Sequence, residues 1–328
     1  MVCVTPDGTF MMSPSESTML RKLLVPLDSS QFAEQALARA VGIARDAGAE
    51  IHLILVHQPM AYGGFTDVPW SGDLADAERK YLQGIVDQLA AKQVIVTSAV
   101  LEGSPVEVIC TEAVSTASDL IVMASHGRTG LSRFWVGSVA DGVIRHSTVP
   151  VFLVRPTEKK QDRIESVHLR NILVTLDGSA ASEEIIPFAL DLARSEGGSL
   201  TLLRVVQPVV WISPTTGIPF AYSPMVYDED LTKNVLANAE GEISNTKQRL
   251  QGKGYTVDAH VEVSDKVAQA IADFVKAHNV DMVAMSTHGR GASRLFLGSV
   301  ADKVLRSVDV PMLLHRPIEA AARGNAHH

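Results

Sequence analysis

The chain has 328 residues, of which 46% are apolar and 20% charged, and carries a net charge of −8. That length accommodates two domains with sizeable cores, and the acidic balance argues against non-specific nucleic-acid binding, which needs a basic face. Two cysteines, Cys3 and Cys110, cannot make a disulfide framework, and no apolar run reaches the length of a membrane span.

Residues 1–18 lack a basic region followed by a long apolar core, so they read as a loose tail rather than a signal peptide. The first strand is Leu23 to Leu27, and it stops at Asp28. Ser30 is placed to cap a helix whose Phe32, Leu37, Val41 and Ala44 fall on one face, and Gly48 to end it. A second strand runs from Ile51 to His57. A loop with Tyr62, Phe65 and Trp70 leads to a helix over 73–91, and a third strand covers Val94 to Leu101. Ser104-Pro105 starts another helix, with proline at its first position, running to Thr116; Cys110 falls on its apolar pattern as a small core residue.

The fourth strand, Leu120 to Ala124, is followed by Ser-His-Gly-Arg-Thr-Gly over 125–130, then by Gly137-Ser138 and a helix. A fifth strand, Val151 to Val154, closes the unit. Strand, glycine loop and helix start together present free backbone N–H groups to a phosphate. The first-turn amides of a helix have no internal partners, and the helix dipole there favours an anion. Glycine lets the backbone turn at positive φ and come close.

The plan then repeats. Arg155 to Ser166 reads as a linker; Ile172 to Leu176 is a strand that stops at Asp177. Pro187 sits inside the next helical period, which predicts a late start or a kink. Leu200 to Val206 is the second strand of this copy, and the segment 208–230, with four prolines and Trp211, Phe220, Tyr222 and Tyr227, holds most of its extra length. That segment reads as a lid or as packing against the other copy. The Asp281 to Ser299 stretch repeats strand, Thr-His-Gly-Arg loop and Gly298-Ser299. One phosphate-type loop is a weak signal; two in the same context are a strong one. Residues 321–328 read as a second loose end.

Strands apolar throughout, alternating with helices, imply a parallel sheet covered on both faces. Ligands bind such sheets beyond the strand C-termini where the strand order reverses. The short apolar fifth strands, Val151–Val154 and Met312–Leu314, are exposed edges that invite pairing. They are predicted to pair antiparallel within the chain as a pseudo-twofold internal dimer. Further association of two tandem chains into a homodimer is compatible with this pattern, which fixes no number.

Val-Pro-Leu-Asp at 25–28, Ser-His-Gly-Arg-Thr-Gly-Leu-Ser-Arg at 125–133, Gly-Ser-Val-Ala at 137–140 and Val-Pro-Val-Phe-Leu-Val at 149–154 together resemble the universal stress protein family. The likeness covers 20–157 and again 168–317, and so implies two tandem domains with those bounds. It implies five-stranded, doubly wound parallel sheets in the order 3-2-1-4-5, of the adenine nucleotide alpha hydrolase-like kind. It also implies an adenine-nucleotide site for ATP, ADP or AMP, with any Mg²⁺ held mainly by phosphates and water. The nucleotide-binding pattern is Gly, two residues, Gly, nine residues, Gly, then Ser or Thr. Ala124 replaces its first Gly, while Gly127, the nine-residue spacing, Gly137 and Ser138 match. In copy two Ser286 replaces the first Gly, and eight residues separate Gly289 from Gly298.

By that resemblance Asp28 contacts the adenosine end, Val56 walls the adenine, and Gly127, Gly137, Ser138 and Val139 hold phosphates; Pro26, Met123, Ala124, His126 and Arg128 complete the site. The copy-two counterparts are Asp177, Val205, Ser286, His288, Gly289, Gly298, Ser299 and Val300. The implied setting is a cytoplasmic stress-response protein that binds ATP with little or slow hydrolysis. The alternative is a nucleotide-free interaction or chaperone-like module on the same scaffold. Asp28 has a second reading as a helix cap, the glycines as plain turns, and the arginines as solvated surface charge. Adjacent Ser125 and His126 are expected to point apart, as neighbours on an extended chain do. No loop lysine, paired acids or nucleophile beside a base marks an enzyme.

Overall fold

The computed structural model describes residues 3–4, 10–11, 20–58, 72–126, 136–156, 169–212, 225–288 and 297–317. The loop aromatics 62–70, the linker 157–168, the glycine-loop interiors 127–135 and 289–296, the segment 213–224 and the C-terminal residues from 318 lie outside that description.

Two residue pairs near the N-terminus, β1 (Cys3–Val4) and β2 (Phe10–Met11), form an antiparallel ladder within the expected loose tail. The first copy then runs β3 (Lys22–Leu27), α1 (Gln31–Ala47), β4 (Glu50–His57), α2 (Gly72–Ala90), β5 (Val96–Glu102), α3 (Pro105–Ser115), β6 (Leu120–Ala124), α4 (Ser138–His146) and β7 (Val151–Val154). The second runs β8 (Asn171–Thr175), α5 (Ala180–Glu183), α6 (Ile186–Glu196), β9 (Ser199–Val206), β10 (Val210–Ile212), β11 (Met225–Tyr227), α7 (Glu229–Gln251), β12 (Val257–Val263), α8 (Val267–Ala277), β13 (Met282–Ser286), α9 (Ser299–Ser307) and β14 (Met312–His315).

Local chemistry sets these boundaries. Ser30 Oγ accepts the Ala33 amide at 3.1 Å and so caps α1, and Gly48 ends it in the left-handed region at φ +69°. Leu37, Val41 and Ala44 are buried along one face of that helix, as the period predicts; Phe32 is only half-buried. Pro187 has no amide to donate backwards, so the helix after β8 breaks into α5 and α6, with the proline in the first turn of α6. The carboxylate of Asp119, just before β6, accepts the Arg21 and Lys22 amides at 2.7 and 2.9 Å. Asp281 does the same for Arg170 and Asn171 at 3.0 and 2.9 Å, so each aspartate staples the fourth strand of its copy to the first.

Ten strands form one sheet in the order β12-β9-β8-β13-β14-β7-β6-β3-β4-β5. Each copy contributes five parallel strands in its own order 3-2-1-4-5. The copies join where β7 and β14 pair antiparallel, with Leu153 opposite Met312, Phe152 opposite Leu313 and Val151 opposite Leu314. Pairing β7 with β14 covers the two fifth-strand edges and leaves β5 and β12 as the outer edges of the sheet. Phe152 and Leu313 are fully buried there.

The sheet separates two cores. On one face α1, α2, α6 and α7 cover Leu23, Val25, Leu53, Val122, Phe152 and their counterparts. On the other, α3, α4, α8 and α9 cover Leu24, Ile54, Ile121, Met123, Leu153 and theirs. On the first face α1 packs against α6 across the seam. On the second, Asp141–Arg145 of α4 and Asp302–Arg306 of α9 make matching ion pairs at 2.7 and 3.0 Å. Each arginine is stabilised as a cation first by its own aspartate, and also by the other helix's aspartate.

Candidate functional site

The two strands expected to flank a crevice separate early. In copy one β3 and β6 pair only at Leu23–Leu120 and Leu24–Ile121, whereas β3 stays paired with β4 to Leu27. Beyond those residues the strands part, leaving Pro26, Asp28, Met123 and Ala124 on either side of the opening. In copy two the β8–β13 pairing runs one step further, to Val174–Ala284. A parting at the point where strand order reverses is the place a ligand enters an open α/β sheet.

Side-chain alternation assigns each residue to a face. Met123, Val56 and Val139 belong to the α3/α4 face, as do Met285, Val205 and Val300 in copy two. Pro26, two residues after Leu24, shares that face. Ala124 and Ser286, which replace the first glycine of the nucleotide-binding pattern, alternate to the opposite face. Ser286 Oγ donates to the Ala181 carbonyl at 2.8 Å, beside α5. Neither substitution therefore fills the α3/α4-side crevice.

The helix starts come close to the strand ends. The Gly137 amide donates to the Ser125 carbonyl at 2.8 Å, and the Gly298 amide to the Thr287 carbonyl at 2.9 Å. A Cβ on Gly137 would lie 3.3 Å from Ser125 O, and one on Gly298 would lie 2.7 Å from Thr287 O. No side chain caps α4 or α9 at these glycines. The missing Cβ is thus needed for the approach at Gly298 and eases it at Gly137, and the first-turn amides have no side-chain acceptor at the cap. Ser138 and Ser299 are exposed at these helix starts. Gly127, Arg128 and Gly289 lie outside the described residues.

Asp28 and Asp177 hold the opposite wall. Asp28 Oδ1 accepts the Ser30 amide at 3.0 Å; Asp177 Oδ1 accepts both the Ser179 amide at 2.9 Å and its hydroxyl at 2.6 Å. The caps of α1 and α5 are Ser30 and Ser179, not the aspartates. Each aspartate sets the turn that delivers the capping serine.

Ser125 and His126 do not point apart. Ser125 Oγ and His126 Nδ1 share a 3.0 Å hydrogen bond, repeated by Thr287 and His288 at 2.9 Å. The chain has already left its strand at these residues, so strand alternation no longer separates neighbours. Both hydroxyl residues are buried, Ser125 to 0% and Thr287 to 2% exposure, which closes them to a substrate. The pairs fix the histidine rings at the mouth of each loop. Burial, and to a lesser degree the charge of Arg155, hold the His126 pKa below the ordinary imidazole value.

Arg155 was not singled out by its sequence, although Arg316 follows β14 at the matching place. Its Nε, Nη1 and Nη2 are buried and have no hydrogen-bond partner among the described residues. Burial lowers its pKa, with Asp309 opposing that shift. The signal available in sequence was the recurrence of Val/His-Arg-Pro after both fifth strands. Cys110 is held as an inert thiol, its pKa pushed up to about 11 by burial. Among the described residues no group of three His, Cys, Asp or Glu is placed to hold a metal, and no helix is long and apolar enough to cross a membrane.

The architecture and the glycine-capped helix starts define a class, the duplicated, doubly wound α/β proteins with a cradle at each switch point. Within that class the profile of the universal stress protein family matches residues 19–155 and 168–316, and the chain belongs to that family as a tandem member. A universal stress protein of Methanocaldococcus jannaschii is 30% identical over 149 residues, 43% of this chain and 86% of that protein. One from Mycobacterium tuberculosis is 25% identical over 207 residues, 62% of this chain, and the match spans 63% of that relative's length. A solved universal stress protein from Archaeoglobus fulgidus shares the fold, with a TM-score of 0.66 and 21% identity over 92% of this chain and 99% of that one.

Proposed function

We propose that this chain is a cytoplasmic stress-response protein that binds an adenine nucleotide, ATP foremost, at the parted strand ends of copy one, with little or slow hydrolysis. The observation that carries the reading is the approach of Gly137 to the end of β6, where a Cβ would stand 3.3 Å from Ser125 O and no side chain caps α4. Backbone amides there, with Gly127 and Ser138, take the phosphates. Val56, Met123 and Pro26 form the apolar wall for adenine, the Val139 amide joins those that hold the phosphates, and Asp28 contacts the adenosine end. Ala124 leaves the crevice open because its methyl faces the other core. His126, Arg128 and the buried Arg155 supply or position positive potential, and Mg²⁺ rides on the phosphates.

Copy two carries the same parts in Asp177, Val205, Ser286, His288, Gly289, Gly298, Ser299 and Val300. Its shorter glycine loop and later strand parting make it the weaker site. Residues 20–157 and 168–317 are the two domain units on this reading. A nucleotide-free interaction module is the competing role for the same scaffold.

Isothermal titration with ATP, ADP and AMP tests the proposal. Wild type binds, and Asp28→Ala weakens binding by about tenfold or more, the scale of a lost hydrogen bond to a charged group. A D28A protein that binds like wild type but melts lower would reduce Asp28 to its turn-forming role. Absence of heat from wild type with all three nucleotides would leave the competing reading.

A further inference from the structure

Copy two holds a second cavity on the sheet face opposite the nucleotide cradle. It measures about 370 Å³ and is bounded by Leu176, Gly178, Arg204, Ile243, Thr246 and the Glu183–Arg249 pair. The lining differs from copy one by a change of residue at three matched positions. Aligning the starts of β4 and β9 sets Arg204 against Leu55. Aligning the ends of α2 and α7 sets Glu242 against Tyr81 and Thr246 against Ile85. The burial of Leu82 and Leu89 against that of Ile243 and Leu250 supports the second alignment. In copy one those positions pack the core, and Tyr81 donates to Glu34 at 2.9 Å.

Arg204 is a costly residue to place here. It lies in β9, a strand paired on both sides, on the face of the α6/α7 core, and is 7% exposed. A buried guanidinium needs anionic or hydrogen-bonding partners. Its recorded partner is Glu242, through Nη1. Glu242 sits on the surface of α7 with 56% of its side chain exposed, so it reaches inward to make this pair. Gly178, at φ +81°, makes room: a Cβ there would stand 2.7 Å from Arg204 Cζ. The second carboxylate, Glu183, is already held at both oxygens, by Thr246 Oγ1 at 3.2 Å and Arg249 Nη2 at 2.7 Å. The exchangeable group is therefore Glu242.

We propose that this cavity binds a small organic monocarboxylate with an apolar body. The ligand carboxylate replaces that of Glu242 on Arg204, Glu242 turns out to water, and the body rests on Leu176 and Ile243. The charges in the lining, two arginines and two glutamates, cancel. A monoanion replacing the Glu242 carboxylate at the guanidinium keeps that contact neutral, whereas a phosphate dianion would add a further negative charge beside Glu183. Planar bidentate recognition of a carboxylate is what a guanidinium does best. The site goes beyond the nucleotide reading and stands apart from it, on the other face of the sheet.

Benzoate titration of the full chain, read on the methyl resonances of Ile243 and Leu176 and by calorimetry, tests this. Wild type binds saturably, and Glu242→Gln binds about fivefold tighter, the factor a half-exposed ion pair withholds when it competes for the same group. Arg204→Leu, which restores the copy-one residue, abolishes binding. Thr246→Ile keeps Arg204 but puts the bulkier copy-one side chain into the lining and removes the hydroxyl that donates to Glu183, and it weakens binding; it carries the test if R204L fails to fold. No saturable shift with E242Q at millimolar benzoate overturns the proposal. So does affinity unchanged in E242Q, affinity unchanged in T246I, or a preference for phenyl phosphate over benzoate. ATP titration of the same samples is scored separately, so failure of one site does not pass for failure of the other.

Discussion

Alanine at Gly298 and at Gly137 should have unequal consequences, and the inequality measures how tightly each helix start is pressed onto its strand. The two positions share a role: each is the residue before the helix, with φ −54° and −60°, values alanine adopts without strain. The modest cost of alanine at such a position is therefore common to both and cancels in the comparison. What differs is the space for Cβ. At Gly137 the nearest atom is 3.3 Å away, and a few tenths of an ångström of movement suffices. At Gly298 it is a backbone carbonyl oxygen at 2.7 Å, which cannot rotate away. That oxygen also accepts the Gly298 amide at 2.9 Å, so relieving the clash stretches a hydrogen bond. Overpacking of this kind costs about 1–3 kcal/mol, and a weakened backbone hydrogen bond about 1 kcal/mol more. G298A should be less stable than G137A by about 2 kcal/mol, a difference of roughly 4–8 °C in Tm for a domain of this size. Differential scanning calorimetry with urea titration as a check reads it. Equal midpoints for the two variants would mean that the close approach at Gly298 is not a constraint on the fold.

The seam between copies should fail when charged. Leu313, fully buried opposite Phe152 on the joined edges, cannot accept an unpaired carboxylate, and Leu313→Asp should cost about 3 kcal/mol or more in urea denaturation while Leu313→Met costs about 1 kcal/mol. A melt of L313D matching that of L313M would contradict the burial of the seam. Acid should destabilise the protein through two histidines whose pKa burial lowers. Burial lowers the pKa of His126, and it lowers that of His315 despite the Glu184 carboxylate at 3.3 Å. A histidine with a folded pKa below its unfolded value binds its proton more readily when unfolded. Its contribution is intact above the ordinary imidazole range and declines as pH falls below about 6.5. The double variant His126→Gln/His315→Gln should flatten the fall in Tm between pH 7 and 5; an unchanged slope would assign that fall to other groups.

The local order of this chain was legible in its residues because short-range chemistry decides it. Val151–Val154 is a strand at the bounds its apolar run sets, Ser30 and Gly48 bracket α1, and Pro187 splits the helix it interrupts. The duplication was visible as two Asp-ended strands and two His-Gly-Arg loops, and the short apolar fifth strands announced the seam that joins them. Which side of the sheet a residue serves was not legible. Ser286 looks like a damaged glycine of a phosphate loop, yet its hydroxyl lies against α5. Ser125 and His126 look like diverging neighbours, yet they share a hydrogen bond because the strand has ended. Arg204 lies inside the strand read over Leu200 to Val206 without being marked; its cavity exists because α7 brings Glu242 and Thr246 over it from about 40 residues away. Sequence alone fixed the main elements of both copies, the caps of α1 and their repetition, since each depends on neighbours within a turn or a strand; the β10–β11 ladder within 208–230 was not legible. The facing of each side chain, the parting of β3 from β6 and the space over Arg204 were decided by tertiary structure, because they depend on register between segments that meet only in the folded sheet.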